Sequence, residues 1–290
     1  MTADPAALEP AAFDPAELEA LTRLAERAAR AAGDLVRGRS PGQVRVAATK
    51  SSATDVVTEM DTAAEALIRD LLLRERPQDA LLGEEGGATS GTSGLTWVVD
   101  PIDGTTNYLY GVPAYAVSVA VVTGDPTVDG AWQPLAGCVH DIPRGETWTA
   151  TLGGGAHLDG RRLVAPAPPV LAEALVGTGF GYLPERRRAQ GRVLAELLPR
   201  VRDIRRFGSS ALDLCAVAAG RLDAYYEQGL NPWDIAAGVL LVTESAGVVR
   251  GPAGEPAGNR LLLAGPAALL DELAAALAEL GIPDGALGPA

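Results

Sequence analysis

The chain has 290 residues, 47% of them hydrophobic, which is enough to bury one large core or two joined ones. Its formal net charge of −13 makes a nucleic-acid partner unlikely, because an acidic surface repels phosphodiester backbones; an acidic pocket that takes cations suits it better. Cys138, Cys215, His140 and His157 are too few and too far apart for a disulfide framework or a zinc cluster, and all four read as structural.

Residues 1–13 are acidic and rich in Ala and Pro, lack the basic start and apolar stretch of a signal peptide, and read as a flexible lead. Leu18, Leu21, Ala25, Ala28, Ala32 and Leu35 recur at helical spacing and predict an amphipathic helix over 14–37. A Ser-Pro-Gly break at 40–42 opens a polar loop that leads to a second helix over 59–75, with Thr58 as its N-cap. The segment LTWVVDPIDGTTNYLY predicts a short buried strand over 96–99, stopped by Asp100-Pro101 and followed by a glycine turn. Three runs over 114–150, AYAVSVAVV, PLAGCVH and ETWTATL, predict an antiparallel meander.

A charged helix over 184–198 follows. Then come a strand at 201–206, a helix at 209–219, a strand at 223–226, a helix at 232–245, a loop at 251–259, a strand at 260–264 and a helix at 267–280, the alternation of a layered α/β protein. The longest apolar run, 114–122, falls short of the roughly 18 residues a membrane span needs, so no membrane association and a soluble, cytoplasmic protein are expected. The expected organisation is the lead, an N-terminal α+β part over 14–165 that carries the antiparallel sheet and the metal-binding motif, and a C-terminal α/β part over 166–290 that completes the active site.

Three acidic groups have surroundings unusual for surface charges: Glu84-Glu85 between Gly83 and Gly86, Asp100 and Asp103 around Pro101, and Asp234 after Trp233. Singly, each is an ordinary turn residue. Together, in a chain with few His and Cys, they suit a hard cation such as Mg²⁺, which takes carboxylate and carbonyl oxygens, waters and phosphate. Pro101 fixes its own φ and lets Asp100 and Asp103 splay around an ion, with the Ile102 carbonyl as a further oxygen. Gly104, Thr105 and Thr106 then offer N–H groups and hydroxyls to an anion, or form a plain helix-capping turn.

The stretch WVVDPIDGTTNY, with GEEGG upstream and NPWDIAAG downstream, closely resembles the inositol monophosphatase family of lithium-sensitive, magnesium-dependent phosphatases. The likeness continues in KSSATDVVTEMD, in FGSSALDLCAVAAGRLDAYYEQG and in ESAGVV, so that it spans about 28–280 in order. The resemblance implies a layered αβαβα sandwich of the inositol monophosphatase and fructose-1,6-bisphosphatase type. It implies two or three Mg²⁺ ions, the first held by Glu84, Asp100, the Ile102 carbonyl and Asp103, the second by Asp100, Asp103 and Asp234. Glu84 and Thr105 resemble the pair that orients and activates the attacking water, with Asp103 beside them, and the amides of Gly104 and Thr105 would face the phosphate. Lys50, Asp55 and Thr58 match a loop whose lysine approaches the phosphate, and Gly208, Ser209, Ser210, Ala211 and Glu227 match contacts to the alcohol part of the substrate.

The resemblance implies hydrolysis of a small phosphorylated alcohol, most closely inositol 1-phosphate, by a homodimer inhibited by Li⁺. Histidinol phosphate, fructose 1,6-bisphosphate and 3′-phosphoadenosine 5′-phosphate are alternatives within the family. Thr106-Asn107-Tyr108 looks like the inositol branch, although Tyr108 replaces the commoner Phe and Ser210 stands where Ala is frequent. A regulatory RNA- or protein-binding role on the same fold is the reading from another class.

Overall fold

A computed structural model describes residues 13–39, 46–49, 56–165 and 167–282; Lys50, Asp55 and all but the last residue of the N-terminal lead lie outside them. The first part of the chain runs α1 (Pro15–Arg37), β1 (Val46–Thr49), β2 (Val56–Thr58), α2 (Glu59–Glu75), β3 (Ala80–Gly83), β4 (Gly87–Thr89), β5 (Leu95–Asp103), α3 (Thr105–Tyr110), β6 (Ala116–Gly124), β7 (Trp132–Asp141), β8 (Thr147–Thr151), β9 (Gly155–Leu158) and β10 (Arg161–Arg162). It continues with β11 (Leu175–Thr178), α4 (Pro184–Leu197), β12 (Asp203–Arg205), α5 (Ser210–Ala218), β13 (Ala224–Glu227), α6 (Pro232–Glu244), β14 (Val248–Arg250), β15 (Leu262–Gly265) and α7 (Ala267–Glu279).

Strands β3 to β10 form an eight-stranded sheet in the order β10-β9-β8-β7-β6-β5-β3-β4, antiparallel except where β3 and β5 run parallel. A five-stranded sheet has the order β12-β11-β13-β15-β14, with β11 parallel to both of its neighbours and β15 antiparallel to both of its own. The period-two alternation of β6 explains the layering. Val117, Val119 and Val121 pack under α1 and α2, whereas Ala116, Ala120 and Val122 face α5 and α6. The far side of α5 and α6 covers Tyr225, Leu262 and Ala264 of the small sheet, whose opposite face meets α4 and α7 through Val176, Tyr226 and Leu263. The order is therefore helices, large sheet, helices, small sheet, helices: an αβαβα sandwich.

Small residues allow the central helices to come close. A Cβ on Gly238 of α6 would lie 2.4 Å from Leu214 Cδ1, and one on Gly137 of β7 would lie 3.1 Å from the Ala237 backbone. Cys138 and Cys215 are buried free thiols in this packing. His140 is buried as well, with Nδ1 2.9 Å from Thr147 Oγ1 and Nε2 3.2 Å from Arg37. No helix among the described residues is long and apolar enough to cross a membrane.

One boundary differs from expectation in a way that matters. The metal-motif strand does not stop at Asp100-Pro101; β5 continues to Asp103. Its pairing with β6 steps from Asp100↔Ser118 to Asp103↔Ala116, three residues against two, so β5 carries a bulge there. Pro101, without an N–H, sits inside that irregularity, where no ladder bond is lost.

Gly33 of α1 packs on the His140 ring, and a Cβ there would lie 2.4 Å from His140 Cδ2. Gly33→Ala should therefore destabilise the protein by about 1–3 kcal/mol in urea unfolding, despite the better helix propensity of Ala. An equal or higher midpoint would show that α1 does not press on β7 at this point.

Candidate metal centre and its surroundings

Asp100 and Asp103 flank the β5 bulge, and both are buried. Asp234 arrives from the other side, in the first turn of α6. There the Asn231-Pro232 start makes a reciprocal cap, and the Asn231 amide donates to Asp234 Oδ2 at 2.6 Å. One carboxylate oxygen from each of these three residues lies within 4.8 Å of the others. Glu84, just past the end of β3, donates its amide to the Val99 carbonyl at 3.2 Å, and its carboxyl is hydrogen-bonded to Asp100.

The electrostatics follow from that crowding. Asp100 is held well above the usual carboxylate range by burial and then by the charges of Glu84, Asp103 and Asp234. Asp234 is likewise pushed well up by burial, Glu84 and Asp103. Burial also raises Asp103, but hydrogen bonds from Ser209 and from the Ala211 and Ser210 amides, with the Arg206 charge, oppose it. Among the described residues, the charged groups that act most strongly on Asp100 and Asp234 are thus acids. Buried, mutually repelling carboxylates of this kind are a donor set that a hard divalent cation fits.

The α5 start fixes Asp103. Ser209 Oγ donates to Asp103 Oδ2 at 2.7 Å and the Ala211 amide to the same oxygen at 2.6 Å. Ser210 Oγ donates to the Asp234 carbonyl at 3.1 Å. Both hydroxyls expected against the alcohol part of a substrate are therefore engaged with the acids. Gly208 (φ 83°) and Gly104 (φ 97°) are left-handed, and a Cβ on Gly104 would lie 2.9 Å from the Ala114 carbonyl and 3.1 Å from that of Gly208. Gly104 caps α3, and the Ile102 amide donates to Asp100 Oδ1 at 3.0 Å, which closes the turn around the bulge.

Thr105 Oγ1 lies 3.0 Å from both the Ile102 carbonyl and Asp61 Oδ1. Asp61 was not singled out in the sequence. It is fully buried in the first turn of α2, where it accepts the Thr58 amide at 2.9 Å and bonds the Thr58 hydroxyl. Burial raises its carboxyl, opposed by the bonds from Thr58 and Thr105. Glu65, one turn on, was also missed; it accepts the Glu85 and Gly86 amides at 2.8 and 2.7 Å and so props the turn that carries Glu84. A signal existed: Asp61 and Glu65 stand one position beyond Met60 and Ala64 in the buried Met60–Ala64–Ile68–Leu72 stripe, too close to it for solvated charges. Glu227, at the end of β13, takes a hydrogen bond from Tyr225 Oη, and burial lifts it to about 7 despite that bond and the charge of Arg206.

Comparison with known proteins adds the relationship. The model of the inositol monophosphatase family matches residues 17–281. The chain belongs to the inositol monophosphatase family. It is 44% identical over 280 residues to the inositol-1-monophosphatase SuhB of Mycobacterium tuberculosis, covering 89% of this chain and 93% of that one. It is 40% identical over 232 residues to the Nus factor SuhB of Escherichia coli, covering 79% and 84%. The crystal structure of the extragenic suppressor protein suhB of Bartonella henselae superposes with a TM-score of 0.81 at 34% identity, over 89% of this chain and 98% of that one.

A raised folded-state pKa means that the native state holds its proton more tightly than the unfolded chain. The stabilisation is then full below the unfolded value and is lost as pH climbs through the folded one. In EDTA, Asp100 and Asp234 should therefore weaken the fold as pH climbs above the ordinary carboxylate value of about 4. Asp234→Asn keeps an acceptor for the Asn231 amide and should be the more stable protein at the upper end in denaturant titrations, whereas Mg²⁺ should stabilise the wild type more than the variant. A variant less stable than wild type across that range would contradict the repulsion.

Proposed function

We propose that the chain is a Mg²⁺-dependent phosphate monoester hydrolase whose substrate is inositol 1-phosphate or a close polyol relative. The observation that carries this reading is the convergence of Glu84, Asp100, Asp103 and Asp234 from three separate segments, with Asp100 and Asp103 buried and the other two half-buried. Family membership supports the phosphatase class, and the name of the mycobacterial relative supports the inositol ester. In this reading Glu84, Asp100, the Ile102 carbonyl, Asp103 and Asp234 hold two or three ions. Bound magnesium supplies Lewis acidity, which polarises the phosphate and makes water a stronger acid.

The chain's own groups do the positioning. Asp61 accepts the Thr105 hydroxyl proton and so turns an Oγ1 lone pair toward a water; Glu84 accepts the proton that the water gives up on attacking phosphorus. The Gly104 and Thr105 amides face the phosphate at the start of α3, and the family resemblance alone adds the charge of Lys50. Glu227 and the Gly208–Ser210 backbone receive the alcohol hydroxyls. Because water attacks directly, no side-chain nucleophile is required.

A homodimer and a cytoplasmic location belong to the same proposal and rest on the family. The Nus factor name of the Escherichia coli relative brings a second reading, a partner-binding role. The intact acid cluster favours catalysis, since a pure binding protein gains nothing from carboxylates that repel one another.

Purified protein should release phosphate from inositol 1-phosphate only with Mg²⁺ and should be inhibited by millimolar Li⁺. Asp103→Asn should abolish turnover while circular dichroism stays native. Asp61→Asn, which can still meet the Thr105 hydroxyl but bears no charge, should lower kcat by roughly 10–100-fold. Inactivity of the wild type on a panel that also holds histidinol phosphate, fructose 1,6-bisphosphate and 3′-phosphoadenosine 5′-phosphate would favour the partner-binding reading.

A further inference from the structure

Beside the metal centre, between α5 and the small sheet, lies a second acid. Asp213 is 1% exposed in the first turn of α5, and its Oδ1 has no hydrogen-bond partner among the described residues. A buried carboxyl oxygen without a donor costs stability, and the apolar residues around it in SALDLCAVA would pack an aliphatic side chain without that cost.

The strand beneath Asp213 is shaped for it. Gly177 lies in β11 and Gly179 just past its end. A Cβ on Gly177 would lie 3.1 Å from Asp213 Oδ1 and 3.2 Å from Tyr225 Cδ2; one on Gly179 would lie 1.8 and 2.1 Å from the two Glu227 oxygens. The two glycines therefore leave room for two acids, one each. Tyr225 stands between them: it pairs with Gly177 in the sheet register, its ring and Asp213 Oδ1 would both meet a Cβ on Gly177, the Asp213 charge acts on its phenol, and its hydroxyl donates to Glu227 Oε2. The buried Asp213 and Tyr225 thus lead to the half-buried carboxylate assigned to the substrate's alcohol.

We propose that Asp213 is a positioning residue: seated over Gly177 against the Tyr225 ring, it keeps that phenol on Glu227 and so sets the orientation of the carboxylate that receives the hydroxyls of a polyol phosphate. The inference rests on the reading of Glu227 as an alcohol contact.

Charge suits this role. Burial, and then the charges of Glu227 and Asp103, push Asp213 well above the usual carboxylate range, with Arg206 opposing. Asp213 therefore favours its protonated form more strongly than an ordinary carboxylate does, and what it offers the Tyr225–Glu227 pair is volume and shape.

The test compares kcat/KM for inositol 1-phosphate with kcat/KM for phenyl phosphate, which offers no alcohol hydroxyls, in wild type, Asp213→Ala, Asp213→Asn and Glu227→Gln. Asp213→Ala should lower the ratio of the two at least fivefold, mainly through KM for the polyol ester, and Asp213→Asn, neutral and of the same shape, should restore it to within about twofold. A ratio unchanged in Asp213→Ala, while Glu227→Gln lowers it, overturns the role of Asp213 and leaves Glu227 in place. A ratio unchanged in Glu227→Gln removes the alcohol contact itself and the inference with it. Loss in Asp213→Asn equal to that in Asp213→Ala, with both proteins folded by circular dichroism, also overturns it, because a side chain of the same shape would then not suffice.

Discussion

Like charges within 4.8 Å of one another and away from water repel, and the fold must supply the force that keeps Asp100, Asp103 and Asp234 together. No single contact does so. Asp100 and Asp103 are fixed by the long pairing of β5 with β6, and Asp234 is fixed by a helix whose body is buried from Ile235 to Val242. The repulsion is a few local interactions, whereas each fully buried Val or Leu side chain contributes roughly 1.5–3 kcal/mol. The central layer of α5 and α6, packed on both sheets, therefore has the capacity to hold the site before any cation arrives.

The layering also determines which way the acids face. The β5 bulge adds one residue at the edge of the core, so that Asp100 and Asp103 avoid the strict alternation that would otherwise set them on opposite faces. The α5 start reaches the same spot with the Ser209 hydroxyl and the Ala211 amide, which occupy one oxygen of Asp103 and leave the other to a ligand. The starts of α5 and α6 add backbone amides, Ala211 to Asp103 and Asn231 to Asp234, which offset negative charge at this region.

Much of this was legible in the sequence. Proline and glycine mark the turns that bear function, and the apolar periods of α1, α2 and the β6–β8 meander stand out because each buries one face. The acids of the metal centre were found from their unusual company of Gly, Pro and Trp. What stayed hidden depends on distant residues. Strand β11 is only the four residues LVGT, too short to show a period, and it forms by pairing with β12 and β13, with Gly177 leaving room for Asp213 of α5. The continuation of β5 through Pro101 is equally a tertiary effect, imposed by β6. Asp61 was obscured by its ordinary local role as the N3 partner in a capping box, and only the fold brings Thr105 to its other oxygen.

That double duty of Asp61 bears on how the site is tied to the rest of the molecule. One carboxyl bonds the Thr58 amide and hydroxyl at the start of α2, and reaches Thr105 at the start of α3, so the ends of two helices meet on a single side chain. Glu65, a turn later on the same helix, does the same for the loop that carries Glu84. Helix α2 thus sets both the threonine and the glutamate proposed to handle the water, and it is itself locked to the large sheet by Met60, Ala64, Ile68 and Leu72. A rigid-body shift of α2 would move Thr105 and Glu84 together relative to the aspartates. The spacing between the proposed water-handling pair and the candidate metal ligands therefore depends on how α2 packs against β5, and a core substitution at Ile68 or Leu72 would act on it without touching a site residue.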